Sequence, residues 1–178
     1  MKVINTSIEG CFELQPRVFK DDRGRLVKTF HEEMFASNGL DTDFKEEYYS
    51  ISKKNVLRGL HFQLPPHDHV KCVTCISGKL FDVVVDLRKN SPTYKQSFSI
   101  ELDADKGNML YIPKGLAHGF YVLSEGAIFL NRTTTVFEPS CDTGIKWDSC
   151  GIEWPNDNPI LSDKDQQMTV LNDFKSPF

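Results

Sequence analysis

The residues best equipped for chemistry gather between Arg58 and Lys71. The run Arg58-Gly-Leu-His61-Phe-Gln-Leu-Pro-Pro-His67-Asp-His69-Val-Lys71 holds three histidines and two cations. Histidine is the side chain whose ordinary pKa lies nearest neutrality, so such a run suits proton transfer, with cations at hand to hold an anion. A surface loop has no reason to concentrate imidazoles, which favours a functional cluster. A second informative run is Gly107-Asn-Met-Leu-Tyr-Ile-Pro113-Lys-Gly115-Leu-Ala-His118: a glycine turn, an apolar strand, a Pro-x-Gly turn and then a histidine. Cys72 and Cys75 form a C-x-x-C, but inside a segment that reads as a strand. Residues three apart on a strand face opposite sides, so this pair is expected as buried thiols and not as a zinc or redox site.

The elements that must position these groups are strands. Lys71–Ile76, Leu80–Leu87, Ser97–Leu102, Met109–Ile112, Gly119–Leu123 and Ala127–Val136 are short and rich in Val, Ile, Phe, Tyr and Thr, with Gly, Pro, Asn or Asp between them. Their near-regular spacing predicts an all-β antiparallel sandwich or barrel. Two short helices are expected, over His31–Ser37 and Asp163–Thr169, and the stretch from Cys150 is expected to wrap around the sandwich. The 178 residues carry 25 acidic and 21 basic side chains, net −4, an ordinary globular composition that fits one domain over 1–178. A mild negative charge argues against nucleic acid as a partner. No apolar run approaches the ~20 residues that span a bilayer. The opening residues include Glu9 and Glu13 and do not read as a signal peptide. Five cysteines at irregular spacing make a poor disulfide framework, so a soluble cytoplasmic protein is expected.

The second run resembles the second motif of the cupin superfamily. In metal-binding cupins the first motif is H-x-H followed closely by glutamate. Here His67-Asp-His69 is followed by Val70, Lys71, Cys72, Val73 and Thr74. The carboxylate is absent and a lysine, which would repel a dication, stands in the way. A three-histidine metal site from His67, His69 and His118 is kept as the alternative, a metal-dependent cupin enzyme.

Nearly the whole chain resembles one cupin branch, the dTDP-4-dehydrorhamnose 3,5-epimerase family. The motifs are Asp22-Arg23-Gly24, Asn55 through Phe62, Gly78 with Phe81 through Arg88, Ser91-Pro92-Thr93-Tyr94, Pro113 through Phe120, Gly151 through Pro155, and Leu161 through Asp165. The resemblance implies a cupin-type double-stranded β-helix, or jelly roll, that inverts the carbons flanking the ketone of a nucleotide-linked 4-keto-6-deoxyhexose. It implies no metal or redox cofactor, a place in surface-polysaccharide or deoxysugar biosynthesis, and a homodimer with exchanged N-terminal strands. By the resemblance His61 is the base and Asp165 the carboxylate that orients it; Asp82 is a second candidate for that place because its strand is expected to line the barrel. Lys71 would hold the ketone oxygen and its developing charge. Arg23, Arg58 and His118 would contact the diphosphate and sugar, a task that suits guanidinium forks.

The chain departs from the family where reprotonation is concerned. The family's acid, a tyrosine on the strand after Ala-His-Gly-Phe, falls on Asn131, and a second tyrosine falls on Phe137. Neither replacement delivers a phenolic proton. Three readings follow: epimerisation at one carbon only, another acid from among Tyr48, Tyr49, Tyr111, Tyr121 or a water, or a non-catalytic sugar-nucleotide binding module. A related ketoisomerase is a weaker option. The nucleotide-contacting positions also differ, and look like Lys28 and Glu46 in this chain. A carboxylate only accepts, so Glu46 suits a base edge with two donors better than thymine.

Overall fold

Where β-branched and aromatic residues alternate between turn signals, the backbone extends and pairs antiparallel. The computed structural model describes residues 1–178. The chain forms β1 (Lys2–Asn5), β2 (Phe12–Gln15), β3 (Val18–Asp21), β4 (Gly24–Val27), helix α1 (Glu32–Ala36), β5 (Glu46–Lys53) and β6 (Leu57–Gln63). Then come β7 (Lys71–Ser77), β8 (Lys79–Asp86), β9 (Ser97–Asp103), β10 (Met109–Ile112), β11 (Leu116–Val122), β12 (Gly126–Thr133) and β13 (Asp142–Gly144). Helix α2 (Asp163–Gln166) lies in the C-terminal strap.

Two sheets carry the architecture, one of six strands in the order β1-β2-β10-β7-β12-β5 and one of five in the order β13-β6-β11-β8-β9. The β3–β4 hairpin forms a two-stranded sheet of its own. Between the large sheets lies the main core, including Val73, Cys75, Leu80, Val84, Leu110 and Phe120. This is the expected all-β jelly roll with a few short helices. The outer face of the six-stranded sheet offers Leu14, Cys72 and Tyr111 to Phe35 and Leu40. On the outside of the five-stranded sheet, Leu60, Val85 and Ala117 pack with Leu171, Trp154, Phe174 and Phe178 of the strap. The C-terminal stretch therefore wraps the sandwich as expected. Cys72 and Cys75 fall in separate clusters on opposite faces of β7, and burial pushes both thiols up to about 12.

Several boundaries differ from expectation for local reasons. The last long strand ends at Thr133, short of Val136, because Thr134 turns away to exchange hydrogen bonds with the Val70 backbone. Helix α2 stops at Gln166, short of Thr169, which forms a bridge with Ile145. Strand β11 starts at Leu116, three residues ahead of expectation, because its whole length pairs with β8.

Candidate active site

Strand register decides which side chains face the space between the sheets. On the six-stranded sheet, Tyr48 pairs across from Asn131, Glu46 from Thr133, and Thr133 from Lys71, so these five share the inner face. On the five-stranded sheet His61 pairs with His118. Strict alternation would put Arg58 and His61 on opposite faces, yet both line the interior, because the β6–β11 register shifts between His118 and Phe120. Gly59 makes this local geometry attainable. Its φ is +137°, and a Cβ there would lie 2.5 Å from the Cα of Gly119.

Two adjoining hollows of about 280 and about 200 Å³ open between the sheets and share Tyr48, His61 and Lys71. The first is also lined by Glu46, His69, Phe137, Asp142 and Lys164, the second by Arg58, His118, Phe129 and Asn131. His61 donates from Nε2 to Asp165 Oδ1 at 2.7 Å. That contact fixes the tautomer and leaves Nδ1 as the basic nitrogen, without a partner in the protein. Asp165 is delivered by α2, where the Ser162 hydroxyl accepts from the Asp165 N–H at 3.1 Å. Burial opposes the Asp165 charge, but the His61 imidazole, the Gly59 N–H and Ser162 outweigh it and hold the carboxyl below its ordinary range.

Lys71 is almost fully buried and donates to the carbonyl oxygen of His61 at 3.0 Å. Burial lowers its pKa to about 8, against the pull of Asp142 and Asp82. At neutral pH it is still an ammonium, held in a dry setting where it can stabilise an oxyanion strongly. Asp82, the second candidate for the orienting carboxylate, does not serve His61. Both its oxygens lie 3.0 Å from Nε2 of His118, its neighbour on the paired strands β8 and β11. Burial pushes Asp82 up and His118 down, and their mutual attraction opposes both shifts. His118 also stacks on Phe129, with ring centroids 5.8 Å apart.

Of the expected contact residues, Arg58 lies in the second hollow and donates to the Ser52 hydroxyl at 3.0 Å. Glu46 lies in the first and accepts from the Phe137 N–H at 2.5 Å. Arg23 and Lys28 are not brought to His61 within this chain. They line a separate hollow on the β3–β4 hairpin, where Arg23 pairs with Asp21 at 2.5 Å. The hairpin pairs with neither large sheet, so local sequence could not indicate that separation. The three histidines of the metal reading form no metal-holding group. His118 is bound to Asp82, and His69 Nδ1 lies 3.1 Å from the Thr135 hydroxyl. Asp142 and Lys164 form an ion pair at the rim; Asp142 sits in no motif, and Lys164 stands in one whose chemistry is carried by its neighbour Asp165.

The model of a protein family described as dTDP-4-dehydrorhamnose 3,5-epimerase matches residues 5–173. The chain belongs to the dTDP-4-dehydrorhamnose 3,5-epimerase family. It is 43% identical over 168 residues to a dTDP-4-dehydrorhamnose 3,5-epimerase of Shigella flexneri, covering 93% of each chain. A dTDP-4-dehydrorhamnose 3-epimerase of Streptomyces niveus is 33% identical, with 96% of this chain and 84% of that one covered. Among solved structures, dTDP-6-deoxy-D-glucose-3,5-epimerase from Legionella pneumophila, in complex with dTDP-4-keto-L-rhamnose, superposes with a TM-score of 0.93. It is 34% identical, and the match covers 98% of this chain and 94% of that chain. The fold is thus that of the epimerase family, and the His61 imidazole, bonded to Asp165 of α2, lines the hollows between its two sheets.

Proposed function

We propose that this chain is a nucleotide-4-ketosugar epimerase, an isomerase acting on a dTDP-linked or similar 4-keto-6-deoxyhexose in deoxysugar biosynthesis. Its 178 residues act as one unit. A proton next to a ketone becomes removable when a base is positioned beside it and the enolate oxygen meets a cation. The observation that carries this reading is the His61–Asp165 contact at 2.7 Å, with the Lys71 ammonium bonded to the His61 backbone. His61 takes the C–H proton on Nδ1, Asp165 supports the imidazolium, and Lys71 meets the charge on the former ketone oxygen. Arg58 and His118 hold the diphosphate and sugar. The Shigella relative is named for inversion at two carbons and the Streptomyces relative for inversion at one, so the family accommodates both outcomes.

The working form is a homodimer in which N-terminal strands are exchanged. Phe19 and Leu26 on the β3–β4 hairpin and Tyr49 and Ile51 on edge strand β5 are exposed, and such faces and edges gain from a partner. In the dimer, Arg23 and Lys28 of one protomer contact the nucleotide held by the other. Glu46, which only accepts hydrogen bonds, favours a base edge with two donors over thymine without closing the site to dTDP.

Incubation with dTDP-4-keto-6-deoxyglucose, followed by NMR of the product, tests the reading. Inversion at C3, C5 or both is expected. Nucleotide-sugar binding without turnover of any ketosugar would leave a binding module instead. Calorimetry with dTDP, GDP, CDP and UDP tests the role of Glu46, and a clear preference for dTDP would refute it.

A further inference from the structure

Inversion requires two faces. The base removes a proton from one side of the sugar carbon, and an acid must return one from the other. Resting on the epimerase reading, we propose that Tyr48 is that acid and that Asn131 is its positioning residue. The side chain expected to carry the phenol and its cross-strand neighbour have exchanged roles.

Placement carries the argument. His61 stands on β6 of the five-stranded sheet, whereas Tyr48 stands on β5 of the six-stranded sheet. Both border each of the two adjoining hollows, so a flat enolate between the sheets has the imidazole on one side and the phenol on the other. The other tyrosines are directed elsewhere. Tyr111 donates to Asp41 at 2.5 Å, Tyr121 donates to Asn55 at 2.6 Å, and Tyr49 alternates with Tyr48 onto the exposed face of β5. Tyr94 lies beneath the Lys95 ammonium. None of these four lines either hollow.

The pairing also suits the chemistry. Asn131 Nδ2 donates to the Tyr48 oxygen at 2.8 Å, so the phenolic hydrogen itself is free for substrate. Asn131 is buried, and its Oδ1 has no partner, so the phenol is the only side-chain group to which its amide is tied. Burial raises the Tyr48 pKa, with Asn131 and Arg58 opposing, so the proton is retained at neutral pH until carbon takes it. In the step, the C–H pair collapses into the enolate as His61 Nδ1 takes the proton. The enolate carbon then takes the Tyr48 proton on its other face and the ketone reforms. The phenolate left behind accepts the Asn131 N–H. Solvent water returns a proton to Tyr48 and accepts the one on His61, so no co-reactant is consumed.

Tyr48→Phe, followed in D2O, tests the assignment. The variant should bind nucleotide like the native enzyme and still wash deuterium into the substrate, through His61, with retention of configuration. Its formation of inverted product should fall on the order of 10²–10⁴-fold. The transposed double variant Tyr48→Asn with Asn131→Tyr should recover inversion that Tyr48→Asn alone loses. Undiminished inversion by Tyr48→Phe would overturn the assignment. So would loss of exchange together with inversion in a folded, nucleotide-binding variant, or failure of the transposed double variant. If the native enzyme itself neither exchanges nor inverts, the epimerase reading fails first, and the two failures are told apart.

Discussion

Lys71 offers the most quantitative test, because its charge is carried at a measurable cost. Its pKa falls from the 10.5 of a solvated lysine to about 8 through burial, with Asp142 and Asp82 opposing. At about 1.36 kcal/mol per pH unit, the fold spends about 3 kcal/mol to keep this ammonium charged at neutral pH. Two consequences follow. If the charge holds the enolate oxygen, the alkaline limb of kcat/KM should be half lost near pH 8 and down about tenfold by pH 9. Lys71→Met, which has no charge to offer, should lose on the order of 10²–10³ in kcat. The stability effect has the opposite sign. A lysine whose folded pKa lies below its unfolded one binds fewer protons folded than unfolded between about pH 8 and 10.5, so stability rises with pH across that window. Lys71→Met removes the cost below it, and should melt higher at pH 7, by roughly 2–4 °C for each kcal/mol gained. Initial rates from pH 6 to 10, with thermal melts of both proteins, provide the comparison. A native profile level to pH 10, or a variant that melts lower while still turning over, would refute the reasoning.

Asp165→Asn keeps the size of the orienting group but removes the charge that supports the imidazolium, so kcat should fall roughly 10²–10⁴-fold with nucleotide affinity unchanged, as read by calorimetry. Gly59→Ala places a Cβ 2.5 Å from the Gly119 Cα at a φ of +137°. Backbone strain alone should cost on the order of 1–3 kcal/mol, seen as a lowered melting temperature, and activity should drop as His61 is displaced. His69 is held neutral by burial, with Lys71 and Lys114 adding to the effect, and its pKa falls from 6.5 to about 3. The unfolded chain therefore binds the extra proton between those values, and stability is lost as pH falls from 6.5 toward 3. His69→Gln should lose less stability than the native protein between pH 7 and pH 4.5 in urea melts.

Much of the fold and site is legible in the sequence, and the parts that are not have physical causes. From Lys71 to Thr133 the strands announce themselves, because their inner faces carry Val, Ile and Phe and their ends carry glycine and proline turns. Strands β1 to β4 are only four residues each and mostly exposed, so they leave little alternation to read. Strand β6 hides its extended nature behind Arg58, Gly59 and His61, residues chosen for the site and for close backbone approach and not for strand propensity. The motif resemblance singled out His61, Lys71 and Asp165, and the structure brings these three together. It could not distinguish the partner of Asp82, because alternation says that a carboxylate faces inward but not which imidazole it meets. The same limit hid Tyr48 among four candidate tyrosines. Only the pairing of β5 with β12 sets it opposite Asn131, a contact between residues 83 positions apart.

The account rests on His61 as the group that takes the proton beside the ketone. The direct measurement is solvent-deuterium incorporation at C3 and C5 of the ketosugar, followed by NMR for the native protein and for His61→Asn at equal nucleotide occupancy. The account predicts deuterium at one or both carbons with the native protein and background exchange with the variant. Native-like incorporation by His61→Asn would contradict it.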